Sequence, residues 1–217
     1  MPNIKDIKRQ REDLSTFLVH LTRDYNSDFM AENNLKNILR NKRISAVNPK
    51  GLTHDWEDYR EHVSSVCFTE TPLNNIQYLF DIEGRDVELK PFGLVFSKEY
   101  MQERGANPVF YVNTYIESEI KKAICGILNS PENIENGRIV APFIEVYGKM
   151  RSGRTRDFYW EREWRVRGDF SFEYENVVLG LCEEGKIDQF CKEFPAIKFI
   201  SPYMSMEEII ERLAKTR

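Results

Sequence analysis

The chain has 217 residues, enough for one large domain, or a domain with an extra lobe, that buries a sizeable core. At 41% hydrophobic, 30% charged and 12% aromatic, its composition excludes wholesale disorder. The net charge of −4 argues against a protein that neutralises phosphate over its whole surface, but leaves room for a local basic patch.

Residues 3–14 read as a charged helix leading into TFLVHLT (16–22), a first strand. FMAENNLKNILRNKR (29–43) spaces Leu35, Ile38 and Leu39 as a helix does, with basic residues at its end that suit the helix dipole. ISAV is a short strand, and 48–63 a polar loop. SSVCFTE (64–70) reads as a strand, followed by a helix over PLNNIQYLF that starts with Pro72 in its first turn. FGLVFS (92–97) is a buried strand whose Ser97 caps the helix KEYMQER, stopped at Gly105. PVFYVN (108–113) is a strand, with Thr114 capping YIESEIKKAICGILN. RIVAPFIEVYGKM is half strand. FYWEREWRV (158–166), NVVLGLC (176–182) and IKFIS (197–201) add three strands, and SMEEIIERLAK closes the chain with a Ser205/Glu208 capping box. Helices and strands interleave without a regular βαβ rhythm, so the expected class is α+β, with mixed sheets and flanking helices in a single domain over 1–217.

The four cysteines are widely separated and form no CxxC, so reduced thiols in a cytoplasmic protein are expected. MPNIKDIKRQREDLS lacks the apolar stretch of a signal peptide, and no run approaches the roughly 18 apolar residues of a membrane span. No membrane partner is expected.

Three stretches could carry chemistry. In VHLT, a strand puts His20 and Thr22 on one face, where both could bond a ribose hydroxyl pair; a strand-end histidine bonded to its neighbours is the plainer alternative. In VCFTE, Phe68 and Thr69 could stack against and orient a planar ring, with Glu70 beside the next helix's first turn. In FYWEREWRV, a strand puts Phe158, Trp160, Trp164 and Val166 on one face, interrupted by Arg162, and Tyr159, Glu161, Glu163, Arg165 and Arg167 on the other. Glu161 and Glu163 then lie roughly 6.5–7 Å apart, close enough to share a site. The segment Lys149 to Arg167 holds seven basic residues against three acidic ones, and MRSGRTRD (150–157) reads as an exposed basic loop that suits an anionic substrate. A surface charge ladder is the alternative. His54 and His62, with Asp55, Glu57 and Asp58, form a loose ligand pool that fits no zinc spacing, so no metal is expected. GxxxxGKS, GxGxxG and GxSxG are all absent from the sequence.

Taken in order, FLVHLT, SVCFTE and YWEREWRV resemble the three-part plan of ADP-ribosyltransferase-like domains, whose third strand opens with Glu, often as E-x-E. VHLT followed by NLKNILRNKRISA also resembles the start of nucleic-acid-modifying toxins of the DarT type. CFTETPL (67–73), FGLVFSKE (92–99), NPVFYV (107–112) and EREWRV (161–166) resemble the AbiGi-type proteins of abortive phage resistance, some of which carry the label antitoxin.

The resemblance implies an ADP-ribosyltransferase-like fold and NAD as co-substrate. Glu163 would bond the nicotinamide-ribose 2′-hydroxyl and stabilise an oxocarbenium-like transition state, and Glu161 would take the acceptor's proton. His20 and Thr22 would hold the adenosine ribose, and Phe68 and Thr69 would flank the nicotinamide. Arg151, Arg154 and Arg156 suit phosphate, which suggests RNA or DNA as acceptor, with a protein acceptor left open. The alternatives are a non-catalytic antitoxin or binding module that neutralises a cognate toxin, and a metal-dependent nuclease.

Overall fold

A computed structural model describes residues 11–24, 30–48, 51–53, 56–80, 82, 87–149 and 155–215. The chain divides into two compact units. One takes in the chain up to Arg43, Phe68–Glu103 and Ser171 onward; the other takes in Ile44–Cys67 and Arg104–Phe170. The elements are mixed α and β, and among the described residues no helix is long and apolar enough to cross a membrane.

In the first unit, β1 (Phe17–Arg23) is followed by helix α1 (Ala31–Asn41), which buries Leu35 and Leu39 and ends on Lys42 in the left-handed region (φ 48°). The short strand β2 (Arg43–Ile44) comes next, then β3 (Ser65–Thr69), whose Thr69 pairs with Val19. Residues 73–79, expected to be an α-helix, instead form a 3₁₀ turn after Pro72 that still buries Ile76 and Leu79. Strand β4 (Leu89–Ser97) runs antiparallel to β1 with Leu21 opposite Gly93. Its near-continuous apolar run, FGLVF, is what a strand covered on both faces requires. Ser97 Oγ accepts from Tyr100 N (3.2 Å), so the cap expected for helix α2 (Lys98–Glu103) is present.

In the second unit, β5 (Asn107–Pro108) precedes β6 (Phe110–Asn113). The next helix begins later than expected. Thr114 donates its hydroxyl to Tyr147 O (2.9 Å), and Ser118 instead caps α3 (Glu119–Leu128), accepting from Lys121 N. Helix α4 (Ile134–Val140) takes up the RIV that was read as half strand, and β7 (Ile144–Lys149) carries the rest. Strand β6 runs parallel to β7, with Tyr111 opposite Glu145 and Asn113 opposite Tyr147; β8 (Thr155–Arg156) returns antiparallel along β7. Strand β9 (Glu163–Arg167) pairs antiparallel with β5 and leads into β10 (Phe170–Ser171).

The segment expected to be a polar loop, 48–63, supplies the middle of this unit's core. Tyr59 is 1% exposed, packs with Val63, Val112, Leu128, Ala141 and Ile144, and donates its hydroxyl to Leu128 O (2.5 Å).

The chain then returns to the first unit, where β11 (Val177–Leu181) lies between β4 and β12 (Phe199–Ile200), antiparallel to the former and parallel to the latter. The order is therefore β12-β11-β4-β1 in a mixed sheet. Helix α5 (Ile187–Glu193) buries Ile187 and Phe190, and α6 (Met206–Lys215) lays Ile209 and Leu213 against the cluster of Val19, Leu21, Val95, Leu181 and Ile200. The Ser205/Glu208 capping box forms as expected, with Ser205 N donating to Glu208 Oε2 (2.7 Å) and Glu208 N to Ser205 Oγ (3.3 Å). Residues 3–10 of the expected first helix lie outside the described residues, and residues 12–13 form a turn.

Two glycines test this packing. A Cβ on Gly93 would sit 2.3 Å from His20 O, a backbone atom that cannot step aside, whereas one on Gly126, in the last turn of α3, meets nothing within 4 Å. Gly93→Ala should cost about 3 kcal/mol. Gly126→Ala should gain about 1 kcal/mol from helix propensity. Urea unfolding of the two variants beside the wild type checks both signs.

Candidate functional site

The run FYWEREWRV is not one strand. Tyr159–Glu161 forms a 3₁₀ turn, and Arg162 (φ 51°, ψ 54°) turns the backbone through the left-handed region before β9 begins at Glu163. A left-handed residue between them breaks the alternation of faces, so Glu161 and Glu163 are not successive side chains on one strand face. The expected aromatic core face also divides: Trp164 and Val166 are buried, whereas Trp160 is 43% exposed.

Arg165, read from the sequence as part of an outer polar face, is 1% exposed and organises the second unit's charges. Its Nε and Nη2 grip both oxygens of Glu163 at 2.9 Å, its Nη2 also reaches Glu145 Oε2 at 2.8 Å, and its Nη1 donates to Pro142 O at 2.8 Å. The planar fork of an arginine suits such a bidentate hold on a carboxylate. The other oxygen of Glu145 accepts from Val146 N (3.0 Å) and pairs with Arg156 (3.1 Å). Gly51 covers one side of the group: a Cβ there would lie 2.6 Å from Ile144 O and 3.9 Å from Arg165 Nη1.

Electrostatics follow from that burial. Burial pushes the Glu145 carboxyl up from its ordinary value, against the pull of Arg165 and Arg156. Burial opposes the charge on Arg165, yet Glu163 and Glu145 outweigh it and hold the guanidinium above its ordinary value. Tyr111, beside Glu145 in the sheet, is pushed up by burial and then by Glu163. The thiol of Cys67 is raised for the same two reasons. Both groups therefore stay protonated at neutral pH, as potential donors to the carboxylates.

Glu163 is the part of this group nearest to solvent, with 19% of its side chain exposed against 6% for Glu145 and 2% for Arg165. Arginine fixes its orientation, and a carboxylate oxygen carries lone pairs beyond those the guanidinium uses. The arrangement can hold a fixed negative charge towards a ligand hydroxyl or a developing positive charge. Arg156, expected in an exposed basic loop, is instead a β8 residue paired with Glu145; Arg151 and Arg154 lie outside the described residues.

The first unit brings His20 and Phe68 together, with ring centroids 5.7 Å apart and edge-on. Phe68 in turn meets Phe96 at 6.1 Å. His20 keeps part of its surface exposed, but Thr22, Phe68 and Thr69 are 4%, 2% and 8% exposed. The Thr22 hydroxyl is shared between Ala31 O (2.9 Å) and Phe92 O (3.1 Å), tying α1 to the sheet. The hydroxyl of Thr69 bonds that of Thr71 (2.8 Å) and accepts from Thr71 N (3.1 Å). Glu70 is buried against Lys98 Nζ at 2.5 Å. The ribose contact expected of Thr22 and the ring-flanking role expected of Phe68 thus find no open surface, because packing and backbone carbonyls occupy them.

Sequence reasoning missed Glu145 and Arg165 as a pair. Each carried a signal: Glu145 is the one charge in PFIEVY, and Arg165 stands between two residues that both become buried. His54 and Asp55 of the loose ligand pool lie outside the described residues, and among the described residues no three His, Cys, Asp or Glu side chains gather as a metal would need. The four cysteines are free thiols.

Arg165→Met strands two carboxylates and should cost about 3–5 kcal/mol in urea unfolding. Glu145 supplies a pH test. The folded chain holds its proton more tightly than the ordinary 4.5, so its contribution favours folding below that pH and is lost as pH rises through the higher folded value. The stability of wild type minus that of Glu145→Gln should therefore fall as pH is raised above 4.5; a difference constant with pH would contradict the burial of this carboxyl.

Compared with known proteins, the chain matches no protein-family model, no curated protein and no solved structure.

Proposed function

We propose that this chain is a phage-defence protein that transfers ADP-ribose from NAD to a macromolecule, with Glu163 as the carboxylate that serves the transfer. The observation that carries the reading is Glu163 itself. It opens β9, is gripped by a buried arginine through both oxygens, and still shows part of its side chain to solvent. The sequence order of FLVHLT, SVCFTE and EREWRV supports the same reading, as does the resemblance to abortive-infection proteins.

NAD, when bound, supplies a glycosidic bond whose cleavage releases nicotinamide with the bonding electron pair. The chain's own contribution is electrostatic. Arg165 keeps Glu163 oriented, and Glu163 accepts from a ribose hydroxyl while offsetting positive charge that builds on the sugar. Glu161, on the turn just before the strand, faces the acceptor and takes its proton as the new bond forms.

A second reading is favoured by a specific observation. Arg165 is 1% exposed and binds two carboxylates, which also suits a strand held together by charge in a non-catalytic antitoxin of the same fold.

Purified protein incubated with NAD and RNA, DNA or lysate should release nicotinamide. Glu163→Gln should lower the rate at least 100-fold (about 2.7 kcal/mol) while the circular dichroism spectrum stays unchanged. Wild-type inertness towards every acceptor, with tight binding to a toxin, would replace the enzyme with the antitoxin.

A further inference from the structure

The turn that carries Glu161 is closed by the carbonyl of Phe158, which accepts from Glu161 N at 3.0 Å. That same carbonyl accepts from the Tyr111 hydroxyl at 3.4 Å. A carbonyl oxygen has two lone pairs, so it takes both donors at once. Tyr111 therefore ties β6 to the turn at the atom that fixes the backbone of Glu161.

Strand β6 is a firm base for that tie. It pairs with β7 along its length, Val112 is 1% exposed, and Thr114 donates both its amide (2.8 Å) and its hydroxyl (2.9 Å) to Tyr147 O. In the parallel register Tyr111 stands opposite Glu145, the carboxylate that holds Arg165 and, through it, Glu163. One tyrosine thus neighbours both the group that orients Glu163 and the turn that carries Glu161. Burial, and after it Glu163, keeps the proton on this hydroxyl at neutral pH, so it is available to donate. A half-buried hydroxyl that has lost water needs a partner, and Phe158 O supplies one. A phenylalanine at this position would fill the same space without the donor.

We propose that Tyr111 is a positioning residue, whose bond to Phe158 O holds the turn so that Glu161 meets the acceptor. The inference rests on the transfer reading for the role of Glu161, whereas the hold itself is measured without NAD. In transfer, the acceptor's oxygen or nitrogen bonds to the ribose carbon that nicotinamide leaves with the electron pair, and the acceptor's proton passes to Glu161. With Glu161 displaced, water forms that bond instead, its proton goes to solvent, and free ADP-ribose results. Loss of the Tyr111 hydroxyl should therefore divert the reaction rather than stop it, because Arg165 still holds Glu163.

Tyr111→Phe is tested first by hydrogen exchange without NAD. The amides of Glu161 and Arg162 should exchange about tenfold faster than in wild type, while those of Trp164 and Val166 keep their rate. Nicotinamide release and the entry of adenine label from NAD into lysate macromolecules are then measured together. Label transferred per nicotinamide released should fall about tenfold in Tyr111→Phe and in Glu161→Gln, and the double variant should match Glu161→Gln. Unchanged exchange at Glu161 and Arg162 would overturn the hold. Release and transfer that fall in proportion, or a double variant worse than Glu161→Gln, would overturn the positioning role, because a merely structural tyrosine acts on both steps alike. Faster exchange at the turn in a protein whose wild type releases no nicotinamide would support the hold and remove the transfer reading.

Discussion

One guanidinium sets the terms for the second unit. Arg165 is withdrawn from water on a strand whose neighbours Trp164 and Val166 are also buried, so its charge must be met inside the protein. Two carboxylates and a main-chain carbonyl meet it. That requirement explains why Glu145 stands alone among apolar residues on β7, why Arg156 turns inward on β8, and why Gly51 leaves no side chain above the group. A buried ion group of this kind is a weak source of net stability compared with an apolar core, but it admits one geometry and punishes the loss of any partner. Fixing Glu163 is therefore a by-product of burying Arg165.

Function can use what packing has fixed. A carboxylate that an arginine already orients needs no reorganisation when positive charge develops nearby, which is the usual source of electrostatic catalysis. The turn before β9 serves the same end. Arg162 bends the backbone, placing Tyr159, Trp160 and Glu161 on a projection that precedes the strand.

Much of the element order was legible in the sequence. β1, α1, β4 and α6 carry apolar periodicities and caps strong enough to read directly, and the α+β class followed from their irregular succession. What was not legible depended on tertiary contacts. Nothing local in residues 48–63 announces that Tyr59 will find Leu128 O and anchor a core. The strand alternation assumed for FYWEREWRV failed at one non-glycine left-handed residue, which sequence does not flag. Of the candidate site, Glu163 and His20 keep exposure that a ligand could use, whereas Thr22 and Phe68 were claimed by the core because both faces of β1 and β3 are covered.

The central claim is that the carboxylate opening β9 moves a sugar from NAD onto a large acceptor. NAD labelled in its adenine ring measures this directly. With wild-type protein and total cellular nucleic acid, label should enter the macromolecular fraction in step with nicotinamide release, one for one. Release of nicotinamide with all of the label left in small molecules would contradict the account.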